Sequence, residues 1–413
     1  MKKRKPLVAI MIFRRDFRLH GNPAWSRCLR WCAENSAAAA PCFIFSDRQI
    51  DKSRNAYYSE KAYSAMTDAL DDLDRALNRK LSCFHARNGD PDTEVLRSVC
   101  EAHDVGAVFF NSDVTPFARA RDESVELWCE SRKIRCDGGA PGEGYTLWPA
   151  GSVLTKSKGT VPKSFSAFYS YTEKRPLPSR AALDSSQKAP IIKIGSTRPP
   201  SVPDPSPSAS TTTVGADSAM ERLKRGDFDD YGSTRDDYKL RTTRLSVHLK
   251  FGRLDVADVM AVSRSRGIKD LARQLLWREF YYHLAFGYPQ LLSAPNAHVR
   301  PDRQKIKWSL PDNKKADDWL KGETGQPLVD RAMKILEETG YLHNRLRMIV
   351  ASYFVRDMGM DWRVGERLLA TKLTDYDPAQ NSGGWQSMDA QRPKQEIKAT
   401  TQMKKFGMPP THP

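Results

Sequence analysis

GYLHNRLRMIVASYF, residues 340–354, poses the question that decides the fold of this chain. From Leu342 onward, Leu342, Leu346, Ile349, Val350, Tyr353 and Phe354 recur at helical spacing, which predicts a helix over 342–358. Its first turns nevertheless hold His343, Asn344, Arg345 and Arg347, with Met348 beside them. A helix that is apolar along its body and polar at its head either ends in solvent or turns that head into a polar cavity. The surroundings are helical too. The spacing predicts further helices at 243–250, 255–264, 269–286, 316–321, 328–339 and 362–373, and strand signals nearly vanish after residue 219.

The first third of the chain has a different texture. LVAIMIF (7–13), PCFIFS (41–46), LSCFHA (81–86), AVFFNS (107–112) and KIRCDG (133–138) read as strands. Between them, 23–34, 56–79, 92–103 and 117–131 read as amphipathic helices. Strands alternating with helices predict a doubly wound, mostly parallel sheet. No GxGxxG follows the first strand, so a dinucleotide at the usual place is not expected. Residues 175–218 are rich in Pro, Ser and Thr and read as a connector, poorly ordered or draped over the surface. The fold class is therefore an α/β N-terminal domain joined to an all-α C-terminal domain.

Composition narrows the function. Sixty-six Lys and Arg against fifty Asp and Glu give +16, which suits a polyanionic partner as well as a merely basic protein. No apolar run approaches the roughly 18 residues needed to span a bilayer, and MKKRKPLVAIMIF reads as a buried first strand rather than a secretory leader. An intracellular protein is expected, at the nucleoid or, in a eukaryotic host, in the nucleus. Seven cysteines lie between Cys28 and Cys136 without metal-ligand spacing, so reduced thiols and no metal are expected. Thr242, Thr243 and Ser246 stand at a predicted helix start, where they either cap the helix or frame an anion site. Asp375 and Asp377, with Asn381, lie in a Gly-rich stretch and read as turn or metal chemistry. Trp308, Trp362 and Trp385 are by default core.

Several motifs in one order resolve these alternatives. FRRDFRLHGNPAW (13–25), TPFARARD (115–122), TTRLSVHLKFGRL (242–254), LLWREFYYHLAFGYP (275–289), WLKGETGQPLVDRAM (319–333), GYLHNRLRMIVASYFVRDMGMDWRVGER (340–367) and LTDYDPAQNSGGWQ (373–386) together resemble the DNA photolyase/cryptochrome family, most closely its class I cyclobutane pyrimidine dimer photolyases. The resemblance implies an antenna-type α/β domain at 1–140, a connector at 141–218, an FAD-binding helical domain at 219–386 and a shortened tail at 387–413. It implies that Tyr231 and the run Thr242, Thr243, Arg244, Leu245 and Ser246 hold FAD, with the run on its phosphates. Arg347, Asp375, Asp377 and Asn381 would line its sugar and ring edge, Arg347 pairing with Asp375. Trp308, Trp362 and Trp385 become an electron-transfer chain, and Gln274, Trp277, Asn344, Arg345, Met348 and Ser387 a pocket for an extruded lesion. An antenna chromophore of folate or deazaflavin type, ultraviolet-damaged DNA as partner and a monomeric state complete the expectation.

Two positions depart from the class I pattern. Gln274 stands where a Glu is usual, and Ser387 where a second stacking Trp is usual; losing one such contact removes about 1–3 kcal/mol of base binding. Together with the short tail they favour a blue-light photosensor with weak repair. Trp277, Asn344, Arg345, Met348 and the basic charge favour repair of cyclobutane dimers.

Overall fold

The computed structural model describes residues 5–87, 90–178, 189–196, 215–293, 297–299, 304–305 and 312–389. Five parallel strands, β1 (Leu7–Phe13), β2 (Ala38–Ser46), β3 (Ser82–Ala86), β4 (Asp104–Phe109) and β5 (Arg135–Asp137), form one sheet in the order β3-β2-β1-β4-β5. Side chains alternate along β1 with period two. Ala9, Met11 and Phe13 face Trp25, Cys28, Met66 and Leu70 of the helices Pro23–Glu34 and Glu60–Ala76. Val8, Ile10 and Ile12 face Val95, Leu96 and Val125 of the helices Pro91–Ala102 and Pro116–Ser131. Helices cover both faces, which is why β1 reads as an unbroken apolar run. Each such side chain contributes about 1.5–3 kcal/mol on burial.

In a sheet of this order, ligands usually bind where the winding reverses, outside the carboxyl ends of β1 and β4. Here that crevice is filled by charged side chains. Arg14 pairs with Asp92 and Asp122, and Asp16 accepts from Asn111 Nδ2 at 2.6 Å. Arg15 forks onto Asp113 at 2.8 and 2.9 Å. Its remaining nitrogen crosses into the helical half, donating to Asp377 and to the Tyr282 hydroxyl at 2.6 Å each. The nucleotide crevice of a doubly wound sheet has become an ionic junction between the two halves.

Residues 189–196 lie against the sheet rather than loosely over it. Ala39 and Ile191 form a β-bridge, and Ile194 N donates to Ser82 Oγ at 2.9 Å. Beyond them the chain is helical. One core gathers Leu223, Leu249, Met260, Leu275 and Phe280; a second gathers Trp319, Leu336, Leu346, Ile349, Phe354 and Trp385.

Three expected boundaries change. The helix expected at 243–250 is Ser246–Lys250, because Arg244 takes a left-handed φ of 51° that interrupts helical hydrogen bonding. The helix expected at 342–358 is Asn344–Ser352, followed by a π-helical turn at Tyr353–Asp357. The stretch read as a Gly-rich loop folds as the helix Pro378–Asp389, with Asp377 Oδ1 accepting from Gln380 N at 3.1 Å. Glycine disfavours a helix, but Gly383 is needed there: a Cβ would sit 2.2 Å from the Tyr281 ring. Among the described residues no helix is long and apolar enough to cross a membrane, and no cluster could hold a metal ion. Trp308 and residues 390–413 lie outside the described residues.

Candidate functional site

The polar head of GYLHNRLRM is divided among three tasks. His343 caps the helix, its Nδ1 accepting from Arg345 N at 3.2 Å. Burial, with Arg345 and Arg347 nearby, lowers its pKa and keeps that nitrogen an acceptor. Arg347 reaches inward, donating to both carboxylate oxygens of Asp375 at 2.8 Å and to the Leu342 carbonyl at 2.8 Å. Arg345 points along the Met348 side of the helix; its Nη1 lies 3.3 Å from Met348 Sδ and its guanidinium pairs with Asp236. Asn344 is exposed. Of the two readings of the opening stretch, the cavity-lining one fits Arg347, and capping accounts for His343.

Of the residues expected around a cofactor, Tyr231, Arg244, Arg347 and Asp375 gather about Tyr341. Arg244 lies over the Tyr341 ring at 4.8 Å, and Tyr341 feels the charges of Arg347, Asp375 and Arg244 and the neighbouring Tyr231. Burial pushes the Tyr341 phenol up to about 12. Lys250 is pushed down to about 8 by burial, with Asp377 and Asp375 acting against that shift. Burial opposes ionisation of Asp377 as well, yet Arg15 and Lys250 hold its carboxyl well below the usual range. Asn381 Nδ2 donates to Glu366 Oε1 at 2.9 Å. Two features suit a phosphate-bearing flavin nucleotide. The helix Ser246–Lys250 starts without a side-chain cap, leaving its first amides for an acceptor. The Lys250 ammonium makes no hydrogen bond or ion pair among the described residues, although it is largely enclosed. Arg244 stores backbone strain of about 1–3 kcal/mol at the same place.

Trp362 and Trp385 are 5% and 3% exposed, buried enough to be shielded from bulk water. Trp385 rests on Gly365, one turn after Trp362, where a Cβ would come within 2.5 Å of the indole. It lies edge-on to Trp319 and Phe354, with centroids 6.3 and 6.0 Å away. Trp319 extends this aromatic group beyond the residues the sequence singled out; it sits in the WLKGETGQP motif.

Gln274 and Trp277 share one face of the helix Lys269–Gly287 with Tyr281. Phe165 stacks on Trp277 at 3.7 Å with the rings 8° apart, so one indole face is already covered. The Tyr281 hydroxyl approaches Ser387 Oγ at 3.3 Å, which brings Ser387 to the same group. Two neighbouring charges tie this face to the helix head: Arg235 pairs with Asp270 at 3.3 Å, and Asp236 with Arg345.

Arg15, Lys250, Tyr282, Tyr341 and Glu366 were not singled out from the sequence. All five lie inside quoted motifs, and Arg15, Lys250 and Glu366 are visible there as charged groups. Tyr282 is marked only by the buried hydrogen bond its hydroxyl makes.

Comparison with known proteins agrees with this geometry. The chain matches a family model described as DNA photolyase over residues 9–186, and one described as the FAD binding domain of DNA photolyase over 271–408. It is 32% identical to the deoxyribodipyrimidine photo-lyase of Escherichia coli, covering 91% of this chain and 80% of that protein. It is 30% identical to the Salmonella typhimurium protein of the same name, with the same coverage. The archaeal photolyase of Sulfolobus tokodaii, solved with two FAD molecules, superposes with a TM-score of 0.74 at 28% identity, over 97% of this chain and 87% of that one. The class III photolyase of Agrobacterium tumefaciens shares the fold with a TM-score of 0.81 at 24% identity, over 98% and 85%.

Proposed function

The chain belongs to the DNA photolyase family, and from that premise we propose that its helical half is an FAD site serving light-driven repair of cyclobutane pyrimidine dimers in DNA. The observation that carries the reading is a polar group in which Arg244 lies over Tyr341, Arg347 pairs with Asp375, and Tyr341 and the enclosed Lys250 both feel the Asp375 charge. The chemistry FAD supplies when bound is photoinduced donation of an electron to the dimer, with the electron returned once the ring has opened.

The protein's own work is placement. The amides opening the helix Ser246–Lys250 and the Lys250 ammonium would hold the phosphates. Arg347 holds the Asp375 carboxylate by two hydrogen bonds and would present it to the sugar and ring, and Asn381, anchored on Glu366, would border the ring edge. Trp385 and Trp362, buried in one core, would serve as members of an oxidisable path to the cofactor. On the outer side, Trp277 offers its uncovered face to the extruded base, and Gln274, Asn344 and Arg345 address its polar edge. Arg345 must leave or share Asp236 to do so. We read the chain as a class I enzyme and a monomer acting on ultraviolet-damaged DNA. An antenna pigment of folate or deazaflavin type remains part of this reading.

Cofactor content tests the reading. The purified chain is expected to carry non-covalent FAD near one per molecule, and Asp375→Ala to lose most of it. A folded protein that takes up no FAD on reconstitution overturns the assignment.

A further inference from the structure

Four charges of alternating sign join the two sides of the candidate lesion pocket. Arg345, at the head of the helix Asn344–Ser352, donates to Asp236 Oδ1 through Nε at 2.7 Å and again through Nη2. The same oxygen lies 3.8 Å from Arg235 Nε, and Arg235 Nη1 lies 3.3 Å from Asp270 Oδ1. Asp270 stands one turn before Gln274 and two before Trp277, on one face of the helix Lys269–Gly287. Gly232 lets the segment carrying Arg235 approach that helix, since a Cβ there would lie 3.0 Å from Asp270 Oδ2. Tyr231 feels all four charges.

The two signs differ in depth. The side chains of Asp236 and Asp270 are 45% and 41% exposed, those of Arg345 and Arg235 only 15% and 24%. A chain with a net charge of +16 therefore turns carboxylates outward at this rim, and the four charges sum to zero. A guanidinium fork takes a phosphate as well as a carboxylate, so the acids hold places that a DNA phosphate would need. A duplex whose bases stay stacked keeps its phosphates outside and meets the carboxylates. An extruded nucleotide draws its phosphate inward, to where exchange with the acids can take place.

We propose that Asp236 and Asp270 are specificity-determining residues: paired with Arg345 and Arg235, they withhold both arginines from the phosphates of undamaged DNA and yield them to the phosphate of an extruded lesion. This rests on the reading that Gln274, Trp277 and Arg345 border a lesion pocket. The consequence is a difference between two complexes. Released from its acid, an arginine gains a phosphate contact on any duplex, one that the parent does not make with undamaged DNA. In the damaged complex that contact already exists, and only the small cost of exchanging a part-exposed pair is saved. Removing the acids therefore strengthens non-specific binding more than specific binding, and discrimination falls.

The test uses the FAD-loaded full chain in the dark, with a short duplex holding one cyclobutane dimer and the same duplex undamaged. Asp236→Asn, Asp270→Asn and the double variant keep the size of each side chain and remove its charge. Asp71→Asn makes the same charge change on the α/β half, where Asp71 pairs with Arg75 and Arg79. Dissociation constants are measured for both duplexes across a salt series. The double variant should bind undamaged DNA roughly tenfold tighter, with a log–log salt slope steeper by about one to two, as two released phosphate contacts require. Its affinity for the dimer should rise by less than about threefold, so the preference for damage falls. Asp71→Asn should leave that preference unchanged. An equal gain on both duplexes, or the same effect from Asp71→Asn as from Asp236→Asn, overturns the proposal, because the acids would then act only through net charge. So does a loss of dimer affinity alone, because Asp236 would then be holding Arg345 in its productive place. A parent that binds both duplexes alike fails the repair reading instead, and the salt slope on undamaged DNA still decides whether the acids hold the arginines back.

Discussion

Replacing Arg15 by methionine removes a side chain that joins the two halves across the charged junction at the sheet's edge. Methionine keeps most of the length and apolar stem. The guanidinium contacts Asp113 twice, Asp377 and the Tyr282 hydroxyl. The Asp377 side chain is 3% exposed, so it cannot recover hydration when its partner goes. Removing one partner of a buried pair costs about 3–5 kcal/mol. The Tyr282 hydroxyl, at 2.6 Å, and the nearby Lys250 remain, which puts the expected loss near the low end, about 3 kcal/mol. Urea unfolding at fixed FAD concentration measures it, because bound ligand itself stabilises the folded state. The sign with pH is fixed. Asp377 is held below its ordinary value in the folded parent, so its contribution is present above about pH 4 and is lost as pH falls through the folded value. The gap between parent and variant is therefore widest near neutrality and narrows below about pH 4. Asp377→Asn added to Arg15→Met is expected to cost less than the sum of the two single changes. A single-variant loss under about 1 kcal/mol, the value of an exposed pair, would refute the junction as a structural element.

Other expectations concern the site itself. Trp385→Phe should leave FAD bound and block photoreduction of the oxidised cofactor, since phenylalanine fills the space but is far harder to oxidise; unchanged kinetics would make the indole mere packing. Ser387→Trp, alone or with Gln274→Glu, should tighten binding to dimer-containing over undamaged DNA by roughly tenfold at fixed salt, if one stacking contact of about 1–3 kcal/mol is restored. A double variant that discriminates no better than the parent would place the lesion elsewhere. DNA affinity should fall steeply with salt, given the net charge of +16, and a flat dependence would point to a protein partner.

The fold was largely legible because each half carries one clear period. β1 alternates between two buried faces, and Glu60–Ala76 carries a single apolar stripe. The boundaries that were missed have local causes invisible to periodicity. Arg244 adopts a left-handed backbone, and the glycines that suggest a loop include Gly383, which the Tyr281 ring requires within a helix. At the site, the resemblance implies the pairing of Arg347 with Asp375, the cost of burying an acid alone gives it a reason, and the structure contains it. The other half of the electrostatics could not be read from local sequence. Arg15 meets Asp377 across 362 positions, and Tyr57 stacks on Tyr376 across the two halves. Both lie in segments whose own pattern concerns only the α/β half. Arg345, expected to face the lesion, is held by Asp236, a partner that no spacing rule connects to it.

Light-dependent reversal of cyclobutane pyrimidine dimers is the most direct measurement of the central claim. The FAD-loaded chain, with the cofactor reduced, is mixed with a dimer-containing oligonucleotide and divided between darkness and blue or near-ultraviolet light. Intact pyrimidines should reappear only in the illuminated half, over many turnovers and with no net consumption of reductant. Dimers that persist under light, although FAD is bound and reduced and the DNA is bound, would contradict the account and leave the photosensor reading in its place.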